Sequence, residues 1–381
     1  MLHLYSAAFQ TPRGSLDRQP NDPEDFAVAG VDLGEPFQKH TFVRRQLQEI
    51  HYGRKLVAAV ADFSPDVVVC ANTPLFPLGR LAKWCRRNSV PFVFWVMDVY
   101  GIAVHKILRR LLPLVGGLVG RYYIWLEQRL LRASDKVIVI SEDFAPLIES
   151  WRVDPARIEV MPLWAPIAEI PVLPKDNDWA RRHDLAATTN VIYAGTLGFK
   201  HNPGLLADLA ARCRDRADVR IVVVSEGRGA AFLAEAKRER GLDNMILLPF
   251  QPFADLPLLM ASADILAVLL EPDAGVFAVP GKVLSHLCSG RPQVAAIPDA
   301  NRATRVIADS GGGLTVEPGD GAGFVAAVER LLDDTELRRD MGRAGRAYAE
   351  REFDIERLGA RFEAIIATTW QAPGEAAMQP L

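Results

Sequence analysis

Residues 161–177 (MPLWAPIAEIPVLPKDN) hold four prolines and little periodicity, and they separate two stretches built on the same alternation. In each stretch, short apolar runs alternate with segments whose apolar residues recur every three to four positions. Before the prolines come a helical pattern over 41–63, the strand-like DVVVCA at 66–71, a helix near 78–88, the run PFVFWV at 91–96 and a strand at 136–140. After them come strands at 191–194, 220–224, 245–248 and 265–270, separated by helices near 203–214 and 230–240 and a short one from Asp255. Helices follow at about 322–333, 336–349 and 355–370. Runs apolar on every residue, with helices between them, predict parallel sheets covered on both faces. The expected fold class is α/β, with two Rossmann-like domains facing across a cleft. The 381 residues suffice for two such domains.

The net charge of −3 excludes a strong field for nucleic acid. Residues 1–165 carry +3 and residues 166–381 carry −6, an asymmetry too mild to name a partner. Cys70, Cys85, Cys213 and Cys288 lie far apart in apolar contexts, so free buried thiols are expected rather than disulfides or metal ligands. Met1 opens no basic segment followed by an apolar core, and no apolar run reaches the ~20 residues of a membrane span. A cytoplasmic protein is expected, peripheral at most to the inner face of the membrane.

Two segments depart from the alternation. Residues 1–8 read as a strand and 9–38 as a loop rich in Pro, Asp and Gly, with no clear strand, Gly-rich loop and helix at the start. Residues 102–133 mix Leu, Val, Trp and Tyr with Lys106, Arg109, Arg110, Arg121, Arg129 and Arg132. That pattern fits an amphipathic surface lying on an anionic membrane, and equally two core helices broken at Pro113 and Gly116-Gly117 with arginines on the wet side.

The stretch 271–292 (EPDAGVFAVPGKVLSHLCSGRP) is a loop leaving an apolar strand and entering a helix whose first turn holds Gly281 and Lys282. First-turn N–H groups and a lysine charge can seat a phosphate there; an ordinary strand–loop–helix would look the same. Glu226, Gly227 and Gly229 close the strand at 220–224 on a tight loop where a ligand could approach the backbone.

The order of these landmarks resembles the family 4 retaining glycosyltransferases of the GT-B type, and most closely transferases of bacterial polysaccharide synthesis. The resemblance rests on VIVISE with Ser141-Glu142, AGT…K at 194–200, VVVSEGRG at 222–229, LPFQPFADLP at 248–257 and SADILAVLLEPDAG at 262–275. It continues through VPGKVL at 279–284, SGRP at 289–292 and RAYAEREF at 346–353. It implies an acceptor-side domain over 1–165, shortened if its usual first strand is missing, and a nucleotide-sugar domain over 166–350. It also implies a C-terminal helix and tail, 351–381, packing back on the first domain. The implied reaction moves a hexosyl or N-acetylhexosaminyl group from a nucleotide diphosphate sugar, UDP-linked, to a lipid-linked saccharide in exopolysaccharide, O-antigen or capsule synthesis. No metal and no other cofactor is implied, and no nucleic acid partner.

Such a reaction leaves negative charge on the departing diphosphate, which a metal-free site must neutralise with fixed cations and donors. By the resemblance those are Lys200 and Lys282, with Gly195 and Thr196 on the first loop of the second domain; Thr196 stands where the family has an Arg or Lys. Ser225, Glu226 and Gly227 would flank the nucleotide, and Phe250 and Gln251 would read the base with their backbone. Glu271, Asp273, Ala274 and Gly275 would meet the sugar, and Val279, Pro280 and Gly281 the phosphates. The family's paired glutamates are absent: Phe277 and Ser285 occupy their places, so Ser285 can offer the ribose only a single hydroxyl. Glu317 could supply a carboxylate from the next loop, or be solvated. In the first domain Met97 replaces the family's His, leaving Asp98 to orient or deprotonate the acceptor hydroxyl, or else to cap the next helix. Asn72-Thr73-Pro74 could touch acceptor or simply turn the chain. Two other functions fit the same architecture: a non-hydrolysing nucleotide-sugar epimerase, and a nucleotide-sugar-binding subunit without turnover.

Overall fold

The computed structural model describes residues 1–8, 16–37, 42–198, 201–272 and 280–370, with no account of the side chains of 42 and 43. The chain divides into two compact units: Met1–Pro162 with the described part of Gly359–Leu381, and Leu163–Leu358.

The first unit opens with strand β1 (Leu2–Ser6), which pairs in parallel with β2 (Ala27–Val31) as a two-stranded sheet. A strand at 27–31 was not expected; AVAGV is small and weakly β-forming, and its pairing with β1 is a backbone matter. Gly30 lets it lie against Tyr5, whose ring would stand 3.1 Å from any Cβ at that position. Helix α1 (Phe42–Phe63) leads to β3 (Val68–Ala71), α2 (Leu75–Arg87) and β4 (Phe92–Val96). Next come α3 (Tyr100–Leu111), α4 (Gly116–Ala133), β5 (Lys136–Val139), α5 (Phe144–Ser150) and β6 (Ile158–Val160). Strands β3 to β6 form a parallel sheet in chain order. All five residues of β4 are buried, as a strand covered on both faces requires.

The second unit begins with α6 (Asp178–Arg182) and β7 (Thr189–Ala194), then α7 (Gly204–Arg212), β8 (Val219–Val224), α8 (Arg228–Arg240) and β9 (Met245–Leu248). It continues through α9 (Leu256–Ala261), β10 (Ile265–Leu269), α10 (Lys282–Cys288), β11 (Gln293–Ala296), α11 (Arg302–Ser310) and β12 (Gly313–Val316), and ends in α12 (Gly321–Asp333) and α13 (Thr335–Glu352). Its six parallel strands run in the order β12-β11-β10-β7-β8-β9. Alternate residues of each strand go to opposite faces. Val191, Tyr193, Ile221, Val223, Ala267 and Leu269 join one core, with Leu206, Leu233 and Phe324 from helices. Ile192, Val222, Leu266 and Val268 join the other, with Leu259, Leu287 and Ile307.

The Pro-rich segment is less of a linker than its composition predicts. Ala165 and Ile170 are buried in the second unit, and Arg346 of α13 donates to the carbonyls of Ile170 (2.9 Å) and Cys288 (2.7 Å). Its apolar residues bind it down despite the prolines. The last helix, α14 (Ile355–Thr369), sets the Phe362 ring 4.9 Å from Trp95 of β4, and Arg361 donates to the carbonyl of Val160 at 2.7 Å. The C-terminal helix thus packs on the first sheet, as expected. All four cysteines are buried and free.

Candidate functional site

In the six-stranded sheet the order reverses between β10 and β7: later strands extend one way, earlier ones the other. Connections leaving the carboxyl ends of those two strands part company there and open a crevice, where ligands of parallel sheets bind. Gly195 leaves β7 at φ +133°, its N–H donating to the carbonyl of Val224 at 3.0 Å. Lys282, at the start of α10 beyond β10, reaches back to it. A Cβ on Gly195 would stand 2.9 Å from the Lys282 Nζ, so both the positive φ and the close approach require glycine. The Nζ also lies 4.1 Å from the centroid of the Tyr193 ring, on the face of β7 below. The Tyr193 hydroxyl donates to the carbonyl of Thr196 at 2.9 Å, which fixes the ring and the loop together.

The Lys282 ammonium is buried and has no hydrogen-bond partner among the described residues. Burial pulls its pKa from the ordinary lysine value down to about 8, so at neutral pH it is still mostly charged. One turn below, His286 is fully buried beside Gln293, and neither ring nitrogen has a partner at full hydrogen-bond geometry among the described residues. Burial, and then the charge of Lys282, push it down to about 3, which keeps the imidazole neutral beneath the amine. Sequence reasoning missed both Tyr193 and His286. The spacing of four between Lys282 and His286 was a usable signal, since it puts them on one helix face.

The neighbouring strand ends assemble beside this lysine. Ser225 follows β8 with its N–H on the carbonyl of Leu248 at 3.0 Å, and its buried hydroxyl has no partner among the described residues. Glu226 is exposed, and its Oε1 accepts the N–H of Phe250 at 3.1 Å, tying the loop after β8 to the loop after β9. Gly227 precedes α8 at φ +90°. Gly229 donates to the carbonyl of Leu197 at 3.2 Å. The Gln251 side chain is committed internally: its oxygen accepts from Trp179 Nε1 (3.1 Å) and its nitrogen donates to Pro249 (2.9 Å). Glu271, Pro280 and Ser285 are half-buried and Gly281 is exposed, around the same strand end and helix. Lys200, Asp273, Ala274, Gly275, Phe277 and Val279 lie outside the described residues.

Two expectations change. The first turn of α10 offers fewer free N–H groups than assumed, because Val283 donates to Pro280 and Leu284 to Gly281, both at 3.1 Å. The helix has seven residues, so the lysine rather than the helix end supplies most of the positive potential. Glu317 is a turn clamp, its Oε1 accepting the N–H of Asp299 at 2.8 Å.

In the first unit Asp98 is exposed just beyond β4. The amides opening α3, Tyr100 and Gly101, donate at 2.9 and 2.8 Å to Glu127 of α4, so this buried glutamate caps the helix. Burial foremost, with a smaller push from Asp98, raises Glu127 to about 7 against the pull of those two amides. Thr73 accepts from the Cys70 thiol at 3.2 Å and donates to the carbonyl of Ala71 at 3.1 Å, so 72–74 is a locally satisfied turn. No group of metal-ligating side chains occurs among the described residues.

Residues 5–164 match the family model described as Glycosyl transferase 4-like domain, and residues 188–334 match Glycosyl transferases group 1. A D-inositol 3-phosphate glycosyltransferase of Segniliparus rotundus is 28% identical over 236 residues, 59% of this chain and 50% of that protein. The chain spans about half the length of the curated relatives it matches. The structure of Anabaena HepE in complex with UDP-glucose superposes with a TM-score of 0.70 at 17% identity, covering 90% of this chain and 86% of that one. WaaG, a glycosyltransferase involved in lipopolysaccharide biosynthesis, superposes with a TM-score of 0.66 at 17% identity, covering 91% and 88%. These likenesses establish the GT-B fold, and the chain carries a glycosyl transferase 4-like domain followed by a glycosyl transferases group 1 domain.

Proposed function

We propose that the protein is a retaining, metal-independent glycosyltransferase that moves a hexosyl or N-acetylhexosaminyl group from a UDP-sugar to a lipid-linked saccharide in bacterial polysaccharide synthesis. The observation that carries this reading is the buried Lys282 ammonium, without a hydrogen-bond partner among the described residues, at the switch point of the second sheet. A buried cation without a counter-charge is costly unless an anion arrives, and a diphosphate supplies one. Ser225, whose hydroxyl likewise has no partner among the described residues, would add a donor at the next strand end. In the proposed site Lys282 and Lys200 neutralise the departing diphosphate. Gly195 and Thr196 admit it close to the backbone, and Phe250 and Gln251 face the base. Glu271 and Asp273 meet the sugar from the loop of Ala274 and Gly275; Ser285 meets the ribose. Asp98 meets the acceptor hydroxyl. The UDP-glucose bound by HepE is consistent with the donor class.

The lipid-linked acceptor draws support from the turn between α3 and α4. Leu111, Leu112, Val115 and Leu118 are exposed there, and Leu114 is 98% exposed. Aliphatic side chains gathered at one turn and flanked by arginines suit the interface of an anionic bilayer. No helix among the described residues is long and apolar enough to cross one.

Incubation of the protein with a panel of nucleotide sugars and bacterial lipid extract tests the reading. Sugar transferred to lipid with the anomeric configuration of the donor kept is expected. Interconverted donor would point to an epimerase, and binding without turnover to a non-catalytic subunit.

A further inference from the structure

We propose that the groove between α2 and α4 seats the headgroup of an anionic phospholipid. This goes beyond the acceptor and donor sites and rests on the membrane part of the function proposed above.

The groove has a volume of about 480 Å³. Leu75 and Phe76 form part of its wall, and Arg80, Lys83, Arg86 and Arg129 stand around it. All four cations are exposed, and none has an ion pair among the described residues. Their helices explain why. Together α2, α3 and α4 carry ten lysines and arginines and a single acid, Glu127. That acid is 1% exposed and spent on the amides of α3. The positive charge of this face therefore has no carboxylate on its own helices to answer it, although the chain as a whole is at −3. Phosphate oxygens are the complement of four such cations.

What borders the groove says which phosphate. On α4, Leu118, Tyr122, Trp125 and Arg129 follow one another at helical spacing and form one exposed stripe. Tyr122 stacks on Trp125 at 5.8 Å, Arg129 lies over the Trp125 ring at 5.6 Å, and Phe76 of the groove wall stands 6.4 Å from Tyr122. Aromatic residues with one apolar and one wet side favour the level of lipid headgroups. The stripe begins near the aliphatic turn at 111–118 and ends at the groove, so acyl chains beneath the turn would set headgroups against the cations. A nucleic acid would use the charges and leave the exposed leucines without purpose.

The test is sedimentation of the full chain with vesicles of phosphatidylcholine alone, or with about one third phosphatidylglycerol. Binding to the anionic vesicles should be at least about tenfold tighter and should fall as salt rises. Combining Arg80→Glu, Lys83→Glu and Arg86→Glu should weaken it on the order of 10²-fold, and Lys83→Glu alone about tenfold or less. A melting shift with UDP, retained in each variant, certifies that the chain is folded and the donor site is intact. Leu114→Ser with Leu118→Ser should weaken binding to both vesicle types, which tests the turn separately. Equal binding to neutral and anionic vesicles, wild-type binding by the triple variant, or equal affinity for single-stranded polynucleotide would each overturn the groove. Charge-dependent binding lost in the triple variant upholds it, whether or not any sugar is transferred.

Discussion

The Lys282 ammonium sits 4.1 Å from the centre of the Tyr193 ring, joining the helix after the fourth strand of the second unit's sheet to its first strand. The ring face is the only favourable electrostatic contact the amine makes among the described residues, and it attracts a cation without neutralising it. The pairing leaves a charge held in position and unmet. It ties stability, pH dependence and ligand binding to the same atom.

Lys282→Met should separate stability from function. Removing a buried amine that has no partner among the described residues should leave the protein at least as stable, by up to about 1 kcal/mol in urea denaturation. Sugar transfer should fall by on the order of 10²–10³, as for loss of one preorganised charge, and Lys200→Ala should do the same. Undiminished turnover in a folded Lys282 variant would remove the site.

UDP affinity should decline as pH rises through about 8, the pKa to which burial lowers Lys282. The bound diphosphate favours the charged amine, so above that pH binding must take up a proton. The loss should approach tenfold per pH unit. Calorimetry in buffers of different ionisation heat should detect the uptake. In the free protein the sign is opposite: from about pH 8 to the ordinary lysine value the unfolded chain holds the extra proton, so this group adds stability as pH rises.

Gly195→Ala should cost about 1–2 kcal/mol, because φ +133° disfavours any side chain and the new methyl would stand 2.9 Å from the Lys282 Nζ. The displaced lysine should also weaken UDP binding. A thermal melt with and without UDP reads both effects.

Glu127→Ala should destabilise the first unit by about 2–4 kcal/mol, since two amides at the start of α3 lose their acceptor. Because burial raises this carboxyl to about 7, the folded protein holds its proton more tightly than the unfolded one. Its contribution should therefore be greatest below the ordinary glutamate pKa and fade between there and pH 7, and this slope should vanish in Glu127→Gln. Chemical denaturation across that range measures it.

Much of the second unit was legible in the sequence because its strands are apolar on every residue and bounded by Gly-bearing loops. β7, β8, β9 and β10 fall where those runs predict. The first unit was harder to read at its start: β2 has the composition of a loop and becomes a strand only by pairing with β1. The cap of α3 was hidden for a related reason. A helix start is ordinarily capped from just upstream, and here the acceptor comes from a residue 27 positions further along the chain from Tyr100.

By itself the sequence determined the α/β class, the repeated parallel sheets and the lysine at the head of α10, because periodicity and local turn chemistry act over a few residues. Tertiary structure decided which groups meet. The reversal of strand order brings Lys282 over Tyr193 and against Gly195, 87 residues earlier in the chain. The packing of α3 on α4 withdraws Glu127 from the surface and leaves the arginines of that face unanswered. Both depend on burial and on contacts distant in sequence, and neither leaves a local pattern in the chain.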